Sequence, residues 1–195
     1  ADAASYRVYK KKNGIFGLIG AVKATEAQSF RDDNIAPDLG VTPPIQDTSL
    51  SATDYPAAVG YYDQRKAFAA TDLVPQGMWM TRPDTETDLT FTLPVKADSR
   101  IKFAVASLQS SPIRHLVPLN QLIVLSASAE YRVSPVNEDA LTPSSISVRP
   151  QSYIGASNVV PIVSNNTAVY VAARGGHIHE LGYQAVNQGF VTGDL

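Results

Sequence analysis

His177 and His179 stand two positions apart with Glu180 beside them, in the phrase Arg174-Gly175-Gly176-His177-Ile178-His179-Glu180-Leu181-Gly182-Tyr183. On a strand, positions i and i+2 share a face, so both imidazoles point one way and Glu180 the other. Two imidazoles supply half of a tetrahedral zinc site, which needs at least a third protein ligand. No other histidine or carboxylate cluster in the sequence stands out as that ligand. The phrase is therefore read as the exposed face of an outer strand that follows a Gly-Gly turn.

Other chemistry-bearing residues receive similar readings. Asp84, Glu86 and Asp88 alternate with threonines, a spacing that offers hard oxygens to calcium but lacks the glycine and terminal Glu of an EF-hand loop. A solvated acidic loop is expected there. Asp32, Asp33 and Asn34, with Asp38, read as turn residues that satisfy backbone groups. His115 beside Arg114 has no Ser or Asp arrangement around it, and no Gly-x-Ser-x-Gly elbow occurs. Gly14, Gly17 and Gly20 punctuate a hairpin, and without a following helix they do not form a dinucleotide fingerprint. Trp79, between Met78 and Met80, is read as core. No catalytic residue, cofactor site or metal ligand is assigned, and no enzymatic activity is expected.

The bulk of the chain narrows the classes further. It has 195 residues, 44% of them hydrophobic, which is enough for a sizeable core in one or two domains. Sixteen basic against eighteen acidic residues give a net charge of −2. Tight nucleic-acid binding needs a cationic surplus to displace phosphate counterions, so none is expected. Lys10-Lys11-Lys12 before Asn13-Gly14 reads as a solvated hairpin turn. The absence of cysteine excludes disulfides, thiolate zinc sites and a cysteine nucleophile. No apolar run approaches the roughly 20 residues of a membrane span, and no signal-peptide pattern opens the chain.

Strand signals position these residues, and helical periodicity is scarce. Tyr6–Tyr9 alternates in period two, and Phe16–Val22 supplies its partner across Asn13-Gly14. A third strand is predicted from Gln28 to Arg31. These elements are read as the last strands of an immunoglobulin-like or fibronectin-like sandwich. Pro37, Pro43, Pro44 and Pro56 mark a connector, with the boundary between residues 45 and 46. Residues 1–45 thus form the terminal strands and linker, and residues 46–195 a separate β region. Within the latter, Arg65–Thr71 with Met78–Thr81, Gln121–Ala127 with Glu130–Val133, and Thr167–Ala173 with His177–Leu181 repeat a strand–turn–strand unit. The spacing of these units is near that of propeller blades. Arg100–Ala106 reads as a further strand, and Pro112–Pro118 as a short turn. The fold class is all-β: the end of a sandwich followed by partial propeller-like blades. Thr192–Leu195 end without a terminating turn, so the chain is expected to be an internal piece of a longer protein.

Several phrases occur in a fixed order: Tyr6–Tyr9, Tyr55-Pro56-Ala57-Ala58-Val59, Pro112-Ile113-Arg114, Leu141–Arg149, Ser152–Asn158, Arg174-Gly175-Gly176, Glu180–Tyr183 and Phe190–Leu195. In that order they resemble the tail nozzle and packaged-DNA stabilisation proteins of short-tailed bacteriophages. The resemblance implies a virion protein made in the bacterial host cytoplasm and built into the tail. It implies a homo-oligomeric ring, taken as a hexamer, that retains packaged DNA and forms part of the ejection conduit. Its implied partners are other tail proteins, on the adaptor and portal side and at the fibres or tip. The family brings no catalytic residue. His177 and His179 depart from its pattern, where a basic or branched residue is more usual.

Two rival readings follow from the residues. One is a carbohydrate-binding propeller or sandwich module, with Trp79, Tyr61, Tyr62 and Asp63 as the first candidates for its site. The other is a metal-binding β domain centred on His177.

Overall fold

The structure, a computed structural model, describes residues 5–25, 29–50, 53–106, 110–136 and 140–195. Among these there is no helix, and all pairing between named strands is antiparallel, in five small sheets. The chain divides into two compact units: the first runs to Gln46 and adds Thr90–Lys96, and the second comprises Asp47–Leu89 and Ala97–Leu195.

In the first unit, β1 (Ser5–Lys12) and β2 (Ile15–Lys23) form a hairpin. Asn13 and Gly14 turn it with φ of 51° and 87°, the left-handed pair whose twist matches the strands. Lys10 to Lys12 lie in β1 rather than in the turn, and Lys10 pairs with Asp32 at 2.8 Å. Leu18 and Asp38 exchange backbone hydrogen bonds of 3.1 and 2.9 Å. A side chain at Gly17 would meet the Asp38 carbonyl oxygen at 2.7 Å, so this approach requires glycine. The strand predicted from Gln28 to Arg31 is not formed over Ser29–Arg31, and Gln28 lies outside the described residues. Phe30 packs its ring within 2.5 Å of where a Gly20 Cβ would sit, so the segment covers β2 by side-chain contact instead of strand pairing. A two-residue pairing joins β3 (Ile45–Gln46) to β7 (Thr90–Phe91), supported by Thr42 Oγ1 donating to the Leu93 carbonyl at 2.7 Å.

The second unit holds three four-stranded sheets. The first contains β4 (Ala58–Tyr62), β5 (Arg65–Ala69), β6 (Gly77–Met80) and β8 (Ile101–Ala104). The second contains β9 (Ile113–Pro118), β10 (Leu122–Ser126), β11 (Glu130–Ser134) and β12 (Ser147–Ser152). The third contains β13 (Ile162–Ser164), β14 (Thr167–Val171), β15 (Ile178–Gln184) and β16 (Gly189–Asp194). Each sheet takes its strands in chain order, so all three are up-and-down meanders. The strand–turn–strand units of the sequence are their middle strands.

Pro112–Pro118 is thus a strand and not a turn. Pro118 sits at its end, and β9 is an edge strand, where a missing N–H does not break a ladder. Pro150 is accommodated in the same way on the opposite edge, β12.

Face alternation in β10 explains the stacking. Leu122 and Val124 pack with Ala67, Met78, Met80 and Ile101 of the first sheet, whereas Ile123 and Leu125 pack with Ala168, Tyr170 and Leu181 of the third. A strand buried on both faces reads as an uninterrupted apolar run, which Leu122-Ile123-Val124-Leu125 is. Each such side chain contributes about 1.5–3 kcal/mol by leaving water.

The crossing from β12 to β13 passes close under the middle sheet at Gly155. Its φ is +77°, and a Cβ there would lie 2.4 Å from the Ala127 carbonyl oxygen. A left-handed conformation alone costs a non-glycine residue about 1–3 kcal/mol, and the backbone contact adds to it. Gly155→Ala is expected to lower the midpoint of thermal unfolding by several degrees, whereas Gly176→Ala, which meets nothing within 4 Å, is expected to cost less. Circular dichroism melts of the two variants check the order.

Candidate functional site

His177 and His179 flank Ile178 at the start of β15. Their ring centroids are 6.5 Å apart, and His177 Nδ1 lies 3.7 Å from Asp194 Oδ2. His177 is solvent-exposed, whereas His179 lies half-buried against Tyr170, at 6.0 Å between rings, with Nδ1 buried and unpartnered. Glu180 turns to the opposite face, over Gly193. Pairing of β15 with β16 therefore brings a carboxylate beside His177 that the sequence order did not disclose. Among the described residues, no three His, Cys, Asp or Glu side chains group as a metal site.

The alternating acidic triplet is dispersed among cations and a hydroxyl. Glu86 accepts from Tyr61 OH at 2.8 Å and Lys66 Nζ at 3.0 Å, and Asp88 lies 3.9 Å from Arg82. Lys66, then Tyr61, hold the Glu86 carboxyl below its usual range, and Glu86 in turn raises Lys66. Asp84 occupies a turn with φ of 57° and donates its N–H to the Gln64 carbonyl. Asp32 and Asp38 accept from the N–H groups of Ile35 and Gly40, as turn carboxylates do.

Trp79 is 1% exposed and donates Nε1–H to Ser49 Oγ at 2.8 Å. Tyr61 and Tyr62 project to opposite faces of the first sheet, and Asp63 accepts the Leu141 N–H at 2.7 Å. The four residues considered for stacking on a sugar are thus not assembled on one surface.

His115 and Arg114 serve the crossing segment. His115 Nε2 lies 2.9 Å from the Ser157 carbonyl oxygen, and Arg114 donates to the carbonyl of Ala156. Beside them is a groove of about 360 Å³ lined by Val59 of β4, Leu116 and Pro118 of β9, and Val160, Pro161 and Val163 at β13. The first strands of all three sheets border this one apolar groove. It has the character of an interaction surface, and no nucleophile or acid–base pair is among its described lining residues.

Three buried polar groups were not singled out by sequence. Arg65 is 2% exposed and donates to the carbonyls of Thr81, Ser99 and Ala97, each at 2.8 Å. Burial pulls its guanidinium below the usual range, opposed by Asp63 and Asp98. Glu130 is fully buried between the second and third sheets, accepting from Tyr170 OH at 3.0 Å and from the Ser152 hydroxyl. Burial, then Glu130, push the Tyr170 hydroxyl well above its ordinary value. Asp47 receives the hydroxyl and N–H of Ser49 and meets Arg100 at 2.7 Å and Lys102 at 3.8 Å. One cue was present in the pattern. Arg65 shares a strand face with Ala67 and Ala69, and Glu130 sits between Ala129 and the apolar centre of β11, so each is a polar residue where burial was implied.

No protein-family model matches the chain, and no curated protein matches it at a significant level.

Burial raises the Asp47 carboxyl, but Ser49, Arg100 and Lys102 outweigh it, and the group titrates below its usual range. A carboxyl lowered in this way adds stability above its unfolded pKa of about 3.9 and loses it as pH falls through the folded value. Asp47→Asn is expected to cost about 2 kcal/mol at neutral pH, with the difference from the parent shrinking below about pH 4. Urea unfolding across that range measures it. Tyr170→Phe removes a donor from a buried carboxyl and is expected to destabilise by about 1–3 kcal/mol.

Proposed function

We propose that this chain is a structural element of a bacteriophage tail, a part of the nozzle at the end of the tail tube that retains packaged DNA and contributes to the ejection conduit. The three meander sheets act as successive propeller-like blades of a β region that further sheets complete. The hairpin unit is the end of a sandwich-like domain. The working form is a homo-oligomeric ring, a hexamer in this reading, with adaptor or portal-side proteins and fibre or tip proteins as neighbours.

The observation that carries the reading is the serial stacking of three four-stranded meanders with their first strands on one groove. Blades of a propeller have this chain order, with the first strand of each innermost. The two end faces of the stack also remain apolar and wet. Val59 and Tyr61 on the first sheet are 51% and 56% exposed, and Ile162 and Ile178 on the third are 69% and 47% exposed. Exposed apolar surface of this extent is typical of proteins that function within an assembly. The ordered phrases that resemble nozzle proteins support the same assignment, as does the net charge of −2, since a conduit that neutralised phosphates would hold the DNA back.

The carbohydrate-binding alternative required a surface on which Trp79 stacks, and Trp79 is in the core.

Fluorescence anisotropy with duplex DNA at about 0.15 M salt is expected to show no saturable binding. Genes flanking this one are expected to encode portal, terminase and fibre proteins. A sub-micromolar dissociation constant, or a neighbourhood without virion genes, overturns the proposal.

A further inference from the structure

We propose that the outer end of the middle sheet binds a tetrahedral oxyanion, a phosphate group, between Arg132, Arg149 and the hydroxyls of Ser134 and Ser147. The register of β11 on β12 sets Arg132 opposite Arg149 and Ser134 opposite Ser147. Residues at i and i+2 share a face, so two guanidinium groups and two hydroxyls converge on one side of adjacent strands. Together with Gln121, just before β10, they line a pocket of about 300 Å³. No carboxylate among the described residues lines it or pairs with either arginine.

This arrangement is costly without a ligand. Like charges directly across an antiparallel pair repel. Arg132 gives one Nη1 hydrogen bond, at 2.9 Å, to the carbonyl of Gln188, yet its Nε is buried with no partner. Gln121 Oε1 is likewise buried and unpartnered. Arg149 is exposed and has only the Ser147 hydroxyl, 3.3 Å from its Nε. Buried polar atoms nearly always have partners, and two orphans in one pocket mark a polar group that completes it. A half-turn of the Gln121 amide presents its N–H groups in place of the oxygen, so every lining polar group donates.

The donors select the ligand. Guanidinium forks match oxyanions in bidentate fashion, and doubly charged phosphate offsets the two arginines. A carboxylate offers two coplanar oxygens, too few for two forks, two hydroxyls and an amide on several sides. Free phosphate and a terminal phosphate monoester, as at the 5′ end of an oligonucleotide, present this chemistry, whereas a backbone diester has one charge and two free oxygens. A single such contact per chain is too weak to hold DNA, so the site neither requires nor contradicts the conduit reading.

Calorimetric titration of the full chain in chloride buffer tests it, with inorganic phosphate, sulfate, acetate and a short 5′-phosphorylated single-stranded oligonucleotide. Phosphate and sulfate are expected to bind saturably, one per chain, and phosphate is expected to raise the melting temperature by mass action. Arg149→Gln is expected to weaken phosphate at least tenfold while leaving the melting temperature in chloride unchanged or higher, because it removes the repulsion. Arg132→Gln is expected to weaken phosphate similarly. A 5′-phosphorylated oligonucleotide that displaces bound phosphate supports the site and identifies a terminal nucleic-acid phosphate as its ligand. One that leaves phosphate in place supports it with free phosphate as the ligand. Absence of saturable phosphate binding, undiminished binding in both variants, or acetate binding as tightly as phosphate overturns the proposal.

Discussion

The arrangement of the second unit depends on one strand being apolar on both sides. β10 contributes Leu122 and Val124 to one cluster and Ile123 and Leu125 to another, all essentially inaccessible to water. With both faces of the middle sheet consumed, the first and third sheets have fixed places on either side. The register of the middle sheet then fixes everything its strands carry. A shift of one residue in β11 would move Tyr131 and Val133 from the first interface into the second and drive Arg132 into the first core. This apolar constraint is what makes the polar placements specific.

Those placements close the gaps that stacked sheets leave. Arg65 satisfies three carbonyls, those of Thr81, Ala97 and Ser99, in the segments on either side of Thr90–Lys96. Glu130 joins β11 to β14 through Tyr170 and to β12 through Ser152, and Thr192 of β16 extends the network to the Ser152 hydroxyl at 3.1 Å. Asp47 fastens the segment that covers Trp79 to Arg100 and Lys102. Arg65 and Glu130 each make several hydrogen bonds, the condition under which a buried polar group confers specificity instead of strain.

How much of this was legible varies by element, for physical reasons. The all-β character and the middle strands of each meander followed from runs such as Gln121–Ala127, where length and apolarity suffice. The first strands were harder. β4 and β13 turn into their partners through Asp63-Gln64 and Asn165-Asn166, pairs with φ between 46° and 62° that lack the glycine by which such hairpins are usually recognised. β9 was hidden by its flanking prolines, which are harmless only because the strand is an edge, a property of the sheet that no local window contains. The excursion that inserts Thr90–Lys96 into the first unit is invisible for the same reason. For the candidate sites, alternation correctly set His177 and His179 apart from Glu180. It did not place Asp194 beside His177, nor Arg149 opposite Arg132, because both depend on pairing between strands well apart in sequence.

The two outer faces of the stack are chemically unlike. On the first sheet, Lys66 lies over the rings of Tyr61 and Phe68, at 5.6 and 5.7 Å, and is held there by Glu86. A cation over an aromatic face, with its stem along the apolar surface, makes that side tolerable in water. The outer side of the third sheet carries a carboxylate instead, Glu180, which lies over Gly193. Ile162, Val169, Val171, Ile178 and Val191 form its apolar positions, with Gly182 and Gly193 leaving it low in relief. The two outer faces therefore meet water differently, one through a cation held over aromatic rings and the other through a carboxylate beside the exposed Ile162 and Ile178.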